Sequence, residues 1–193
     1  MNKKLLVPMI LVFVVSLVSA QVGDEGKEKI LATKLELFLA EKGKLTVKEF
    51  FALGKVSGGA RTKTELTAVV IYEPGEEDER LRGLKIEVIN AGGSYVKRES
   101  SFLDLEEIEG LLKAIDYVVS LSKEWEGVQK EYTEVVFSTK DDFRVGFYQR
   151  GIKQKAFVSS GTYGREYCRF SVMDKLRSLK VMAGKGLKLL SEK

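Results

Sequence analysis

The stretch Ser101 to Trp125, SFLDLEEIEGLLKAIDYVVSLSKEW, constrains the fold of this chain more than any other. Asp104 followed three residues later by Glu107 has the spacing of a capping box, in which each side chain accepts from the other's backbone N–H. Leu105, Ile108, Leu111, Leu112, Ile115, Val118 and Val119 then recur at intervals of three and four. That spacing gathers them on one apolar stripe, which has to be buried. Segments of alternating apolar and polar residues lie on both sides of it. The pattern predicts an α+β fold: an antiparallel sheet built from two ββββα units (residues 45–125 and 131–193) plus an N-terminal strand, with the helices packed on one face.

In the first unit, Leu35, Leu37 and Leu39 alternate with polar neighbours, Glu41-Lys42-Gly43-Lys44 supplies a turn, and Leu45, Val47, Glu49 and Phe51 resume the alternation. This predicts a hairpin; a helix from Glu28 to Glu41 is the competing reading, because Ile30, Leu31, Leu35 and Phe38 also fit its period. Thr64–Tyr72, Leu84–Val88 and Tyr95–Phe102 complete the strands, separated by Gly58-Gly59, Pro74-Gly75 and Gly92-Gly93. In the second unit, 131–139, 143–149, 153–159 and 165–170 read as strands. Ser171 and Asp174 are placed to cap a last helix striped with Val172, Leu176, Leu179, Ala183, Leu187 and Leu190. Gly184 and Gly186 weaken that helix or let something approach it closely. Aligning Asp104 with Ser171 brings Arg98-Glu99 onto Arg165-Glu166, as a duplication would.

The first twenty residues have the parts of a secretory signal: Lys3 and Lys4, an apolar run from Leu5 to Val18, and Val18-Ser19-Ala20 before the expected cleavage. Fourteen apolar-run residues are fewer than the roughly 20 a membrane-spanning helix needs, and no later segment is more apolar, so no transmembrane anchor is expected after cleavage. The expected organisation is a signal peptide at 1–20, a flexible N-terminus at 21–32 and a single α+β domain at 33–193, secreted or periplasmic. The signal holds two lysines and no acid, so the mature chain carries less than the full net charge of +4, a weak pull on polyanions.

A single cysteine, Cys168, allows no internal disulfide, and its same-face neighbours Glu166 and Phe170 offer no base, which predicts a buried structural thiol. The absence of histidine excludes Ser-His-Asp and Cys-His catalysis and His-ligated zinc. Gly161-Thr162-Tyr163-Gly164 joins two strands rather than two helices, Gly58-Gly59 lacks a following Gly-Lys-Ser/Thr, and Glu76-Glu77-Asp78-Glu79 lacks the alternate spacing of a calcium loop. No catalytic residue, metal or cofactor is indicated. Paired carboxylates brought together by folding would make a histidine-free extracytoplasmic enzyme, the alternative to a binding domain.

Alternation does sort the second unit into two faces. With Phe143, Val145 and Phe147 inward, Arg144, Tyr148 and Arg150 point outward, joined by Lys153 and Lys155 or their alternates and by Arg165, Tyr167 and Arg169. The candidate ligand-binding residues are therefore Arg144, Tyr148, Arg150, Lys155, Arg165, Tyr167 and Arg169, a surface suited to an extended polyanion; the same composition also fits an ordinary wet sheet face, with a protein as partner. The two helices differ in charge, seven acids against two lysines over 104–126 and six bases against two acids over 171–193, so they should lie side by side or meet across a homodimer. The element order, four strands and a helix written twice, resembles the Whirly and Pur-type single-stranded nucleic-acid-binding folds. The resemblance covers most of the mature chain, carries no binding residue over, and implies a single-stranded nucleic acid as ligand; the secretion signal points away from an intracellular one.

Overall fold

The computed structural model describes residues 32–161 and 164–193. The expected signal peptide and all but the last residue of the 21–32 segment lie outside the described residues. The first described element corrects the expected N-terminal strand: Lys34–Ala40 is a helix, α1. Thr33 and Glu36 form a capping box, with the Glu36 carboxylate accepting from Thr33 N–H at 2.9 Å and Thr33 Oγ1 accepting from Glu36 N–H at 3.1 Å. The competing helical period was the physically stronger one because the cap adds to it and because Leu35 finds a buried seat.

Two antiparallel meanders follow. Strands β1 (Val47–Ser57), β2 (Thr62–Tyr72), β3 (Leu81–Asn90) and β4 (Lys97–Asp104) form one four-stranded sheet in sequence order. After helix α2 (Leu105–Glu124), β5 (Lys130–Ser138), β6 (Arg144–Gly151), β7 (Lys153–Ser160) and β8 (Glu166–Phe170) form the second. The chain ends in helix α3 (Asp174–Ser191). The fold is α+β, but with two sheets rather than one: β4 and β5 are joined through a helix and share no ladder, so each hairpin series forms its own open sheet. Ser171 does not cap α3; Met173 occupies the cap position and the helix begins at Asp174.

One core serves both sheets. Leu66, Leu84, Ile86 and Leu103 from the first, Val145, Phe147, Val158 and Phe170 from the second, and the stripes of α2 and α3 form a single buried cluster. Helix α2 touches β3 and β4 of its own sheet and β5 and β6 of the next, where Trp125 at its end meets Phe147 edge-on at 5.8 Å. Helix α3 lies on β1, β2 and β3, across the sheet of the other unit. Gly186 permits that contact, since a Cβ there would come within 2.7 Å of Leu53 and Leu84 side chains; at Gly184 the same position is open. The two helices lie side by side, tied by Lys180 and Asp116 at 2.6 Å, which satisfies part of their opposite charge within one chain.

Two further bonds tie the sheets together. Gly59 N–H donates to the Arg169 carbonyl at 2.9 Å, and Thr62 Oγ1 donates to Cys168 Sγ at 3.4 Å. Cys168 is buried there, and a Cβ at Gly58 would fall 2.5 Å from its sulfur. Its environment is that of a packed core thiol.

Ile115, fully buried at the middle of the α2 stripe, is the direct test of this packing. Ile115→Ala should cost about 2–5 kcal/mol of unfolding free energy in a denaturant titration. A loss under about 1 kcal/mol would mean that the stripe does not face a core.

Candidate functional site

The outer faces of the two sheets are finished differently. On the first, α1 covers one end: Leu35 seats over Val69 and Ile71, with Phe38, Leu39, Leu81 and Phe102 around it. Gly83 leaves the room, since a Cβ there would lie 2.5 Å from the Leu35 side chain. At the other end Lys63 pairs with Glu65, while Lys85 and Arg98 both pair with Glu87, so each of these glutamates holds a cation, with Lys48 and Lys55 of β1 exposed on the same parity.

Among the described residues, no helix lies on the outer face of the second sheet. Register fixes what lies there: Glu134 faces Tyr148, Val136 faces Gly146, Tyr148 faces Lys155, Arg150 faces Lys153, Phe157 faces Arg169 and Ser159 faces Tyr167. All seven sequence candidates, Arg144, Tyr148, Arg150, Lys155, Arg165, Tyr167 and Arg169, belong to this parity, and β7 resolves to Lys153, Lys155, Phe157 and Ser159. Each strand gives one ring: Tyr132, Tyr148, Phe157 and Tyr167 run across the sheet with successive centroids 6.3, 6.4 and 6.1 Å apart. Phe157 is only 6% exposed although it faces outward, because a tyrosine flanks it on either side.

Cations frame the row. The Arg150 guanidinium lies 5.6 Å from the Tyr132 ring centre and that of Arg169 lies 4.9 Å from Tyr167, within cation–π range. Among the described residues, Arg150, Lys153, Lys155 and Arg169 have no carboxylate within 4.0 Å. Arg144 and Arg165 do: both reach the same oxygen of Asp142, at 3.1 and 3.3 Å. Tyr132 donates to Glu134, which pushes its phenol pKa up. A concavity of about 280 Å³ lies over Tyr132, Arg144, Tyr148, Phe157, Tyr167 and Arg169, and a second of about 530 Å³, sharing Tyr148, continues past Arg150, Lys153 and Lys155. Gly146 lies on this outward face between Val136 and Phe157; a Cβ there would come within 2.0 Å of the Val135 carbonyl, so the strand crossing requires glycine.

No known protein family, curated protein or solved structure matches this chain. Its chemistry has to be read from the face and its concavities, which hold seven cations (Lys130, Arg144, Arg150, Lys153, Lys155, Arg165, Arg169) against the carboxylates Glu131, Glu134 and Asp142.

Sequence reasoning missed Tyr132, Glu134 and Phe157. The parity that places the first two is set by the β5–β6 turn, and an isolated Phe in AFVSS reads as core.

That turn also bears the molecule's one convergent acid pair among the described residues with a strongly raised carboxyl. Asp141 accepts from Phe102 N–H at 2.7 Å and lies against Glu36 of α1. Burial pushes the Asp141 carboxyl from its ordinary 3.8 up to about 7; the Phe102 amide pulls it back, and Glu36 and Asp142 add to the rise. The pair packs α1 and β4 against the turn and lines neither concavity on the outer sheet face. Because the folded state holds this proton more tightly than the unfolded chain, its contribution to stability is complete below about pH 3.8 and is lost as pH rises through about 7. Asp141→Asn keeps an acceptor for Phe102 and does not titrate. Urea unfolding should therefore favour the variant over wild type increasingly from pH 5 to pH 8; an equal difference at both pH values would show Asp141 ionising normally.

Proposed function

We propose that the protein is an exported binding domain that takes an extended anionic ligand on the outer face of its second sheet. The observation that carries this reading is the row of four rings, one from each strand, set among cations that have no acidic partner. A face kept only for solubility would sooner resemble the first sheet, where lysines and arginine sit beside glutamates. Rings offer stacking or CH–π contact at a low entropy cost, and the flanking Arg and Lys side chains offer charge to a polyanion crossing the strands. Catalysis by paired carboxylates is the less supported reading, because the Asp141–Glu36 pair already serves the α1 contact and the open concavities are lined mainly by cations and rings.

Binding should be measured against heparin, single-stranded DNA and anionic vesicles over a salt titration. Each neutralised ligand charge releases counterions, so about five contacts should lose well over tenfold in affinity between 50 and 200 mM salt. Replacing Arg150, Lys155 and Arg169 together by glutamate should abolish binding without unfolding the protein, and replacing Lys175, Lys185 and Lys188 of α3 should not. No ligand binding tighter than about 10⁻⁴ M, the non-specific end of such affinities, or equal loss in both variants, would reduce the face to a solvated surface.

Export rests on the Lys3-Lys4 start, the short apolar run and Val18-Ser19-Ala20. Mass spectrometry of protein from its native host should find the N-terminus at or within a few residues of Gln21. An intact Met1 on cytoplasmic protein would overturn export and leave the binding face to be judged separately.

A further inference from the structure

Asp142 stands in an unusual place. It is a non-glycine residue in the left-handed region, with φ of 50°, at the tip of the β5–β6 hairpin. Aspartate tolerates that conformation, but at a cost that persists only where the surroundings impose it, often at ligand clamps. What the conformation achieves is a carboxylate reaching both Arg144, the first residue of β6, and Arg165, just before β8, which would otherwise repel each other. Arg165 is held further by its Nε–H, which donates to the Gly161 carbonyl at 3.1 Å. Two guanidinium groups against one carboxylate leave the cluster with a positive charge to spare, in partly buried surroundings where charge interactions are stronger than in water.

Beside this pair lie polar atoms with nothing to bond. Ser159 is fully buried, register sets it directly opposite Arg144 on one side and Tyr167 on the other, and its Oγ has no hydrogen-bond partner among the described residues. The Arg144 Nε–H is likewise buried and unpartnered. Buried polar groups are nearly always satisfied, so two orphaned donors next to each other mark a place where a polar partner belongs. Both can donate, which suits an oxyanion; two fixed arginines suit a tetrahedral one, whose oxygens they can share.

Resting on the anionic-ligand reading of this face, we propose that Arg144, Arg165 and Ser159 form a subsite for one phosphate or sulfate group of the ligand, and that Asp142 is a tethered competitor occupying the arginine pair until the ligand displaces it. On displacement, Arg144 turns from Asp142 to the ligand oxygen, and the donors of Arg144 Nε and Ser159 Oγ gain the acceptor they lack. Asp142 thereby sets a threshold: a singly charged, weakly accepting group does not dislodge it, whereas a phosphate or sulfate ester with several strong acceptor oxygens does.

The test is a titration of the full chain with inorganic phosphate and, separately, inorganic sulfate, following the Nε–Hε resonances of each arginine by NMR; the two anions separate a phosphate from a sulfate preference. Saturable shifts at Arg144 and Arg165 are expected with at least one of them. Asp142→Asn, which tolerates the same backbone conformation, should bind about tenfold more tightly, the scale of a charge-assisted hydrogen bond. Ser159→Ala should bind about threefold or more weakly, as the loss of one neutral hydrogen bond does, without lowering the thermal midpoint, since no existing bond is removed. Weaker or unchanged binding by Asp142→Asn would overturn the proposal, showing that Asp142 only orients the arginines. Saturable shifts confined to Arg150 and Arg169 would overturn the subsite while leaving the binding face intact, and the absence of saturable shifts at any arginine, together with no polyanion binding, would overturn both.

Discussion

The structure turns on the carboxylate of Asp104, which is buried and bonded on several sides. It stands in the cap position of α2, where Glu107 accepts its backbone N–H at 3.1 Å, and its own oxygens accept from the first amides of α1, Lys34 at 2.9 Å and Leu35 at 3.3 Å. Lys140 brings a positive charge to 3.7 Å. A carboxylate taken out of water is tolerated only with such company, and the partners here come from α1, α2 and the β5–β6 turn. The β5–β6 turn is then fixed against the same junction by Lys140 N–H to Glu107 at 2.9 Å and by Phe102 N–H to Asp141. The end of β4 thus positions α1, α2 and the hairpin whose next residue, Asp142, holds two arginines of the open face.

That arrangement gives two similar meanders different fates. Helix α1, clamped by Asp104 and seated through Leu35 at Gly83, covers one end of the first sheet's outer face, and Glu65 and Glu87 hold three of the cations at the other. The second sheet has no counterpart to α1 among the described residues. Its rings and unpaired cations stay accessible, so of two meanders with the same strand order one has a partly covered outer face and the other an open one. An open sheet face with charge of mostly one sign is costly to keep by accident, since like charges set side by side repel.

Much of this was legible because alternation is a local property. Hydrophobic period two placed each strand, and the inward set Phe143, Val145 and Phe147 sorted Arg144, Tyr148 and Arg150 outward before any pairing was known. The α2 stripe and the burial of Cys168 followed in the same way. What alternation cannot supply is partnership between distant segments. The split into two sheets depends on β4 and β5 not pairing, and the outward position of Phe157 depends on register across β6 and β8. The α1 helix was misassigned for a different reason: Leu35, Leu37 and Leu39 fit both periods, and the deciding terms were the Thr33–Glu36 cap and amide acceptors supplied by Asp104, seventy residues away in the chain.

The position of α3 has a consequence for how the molecule comes into being. The last helix of the chain is the inner cover of the first sheet, lying on β1 to β3 with Gly186 against Leu53 and Leu84. Until residues 174–191 exist and are free to dock, Leu66, Leu84 and their neighbours have no completed core, however early their strands emerge. Folding therefore waits on contacts between the two ends of the sequence, whose loop-closure entropy makes such folds slow. Under the export proposed above, in which the chain is threaded through a membrane before it folds, that delay is an asset: the topology favours an open nascent polypeptide until the final turn of helix has arrived.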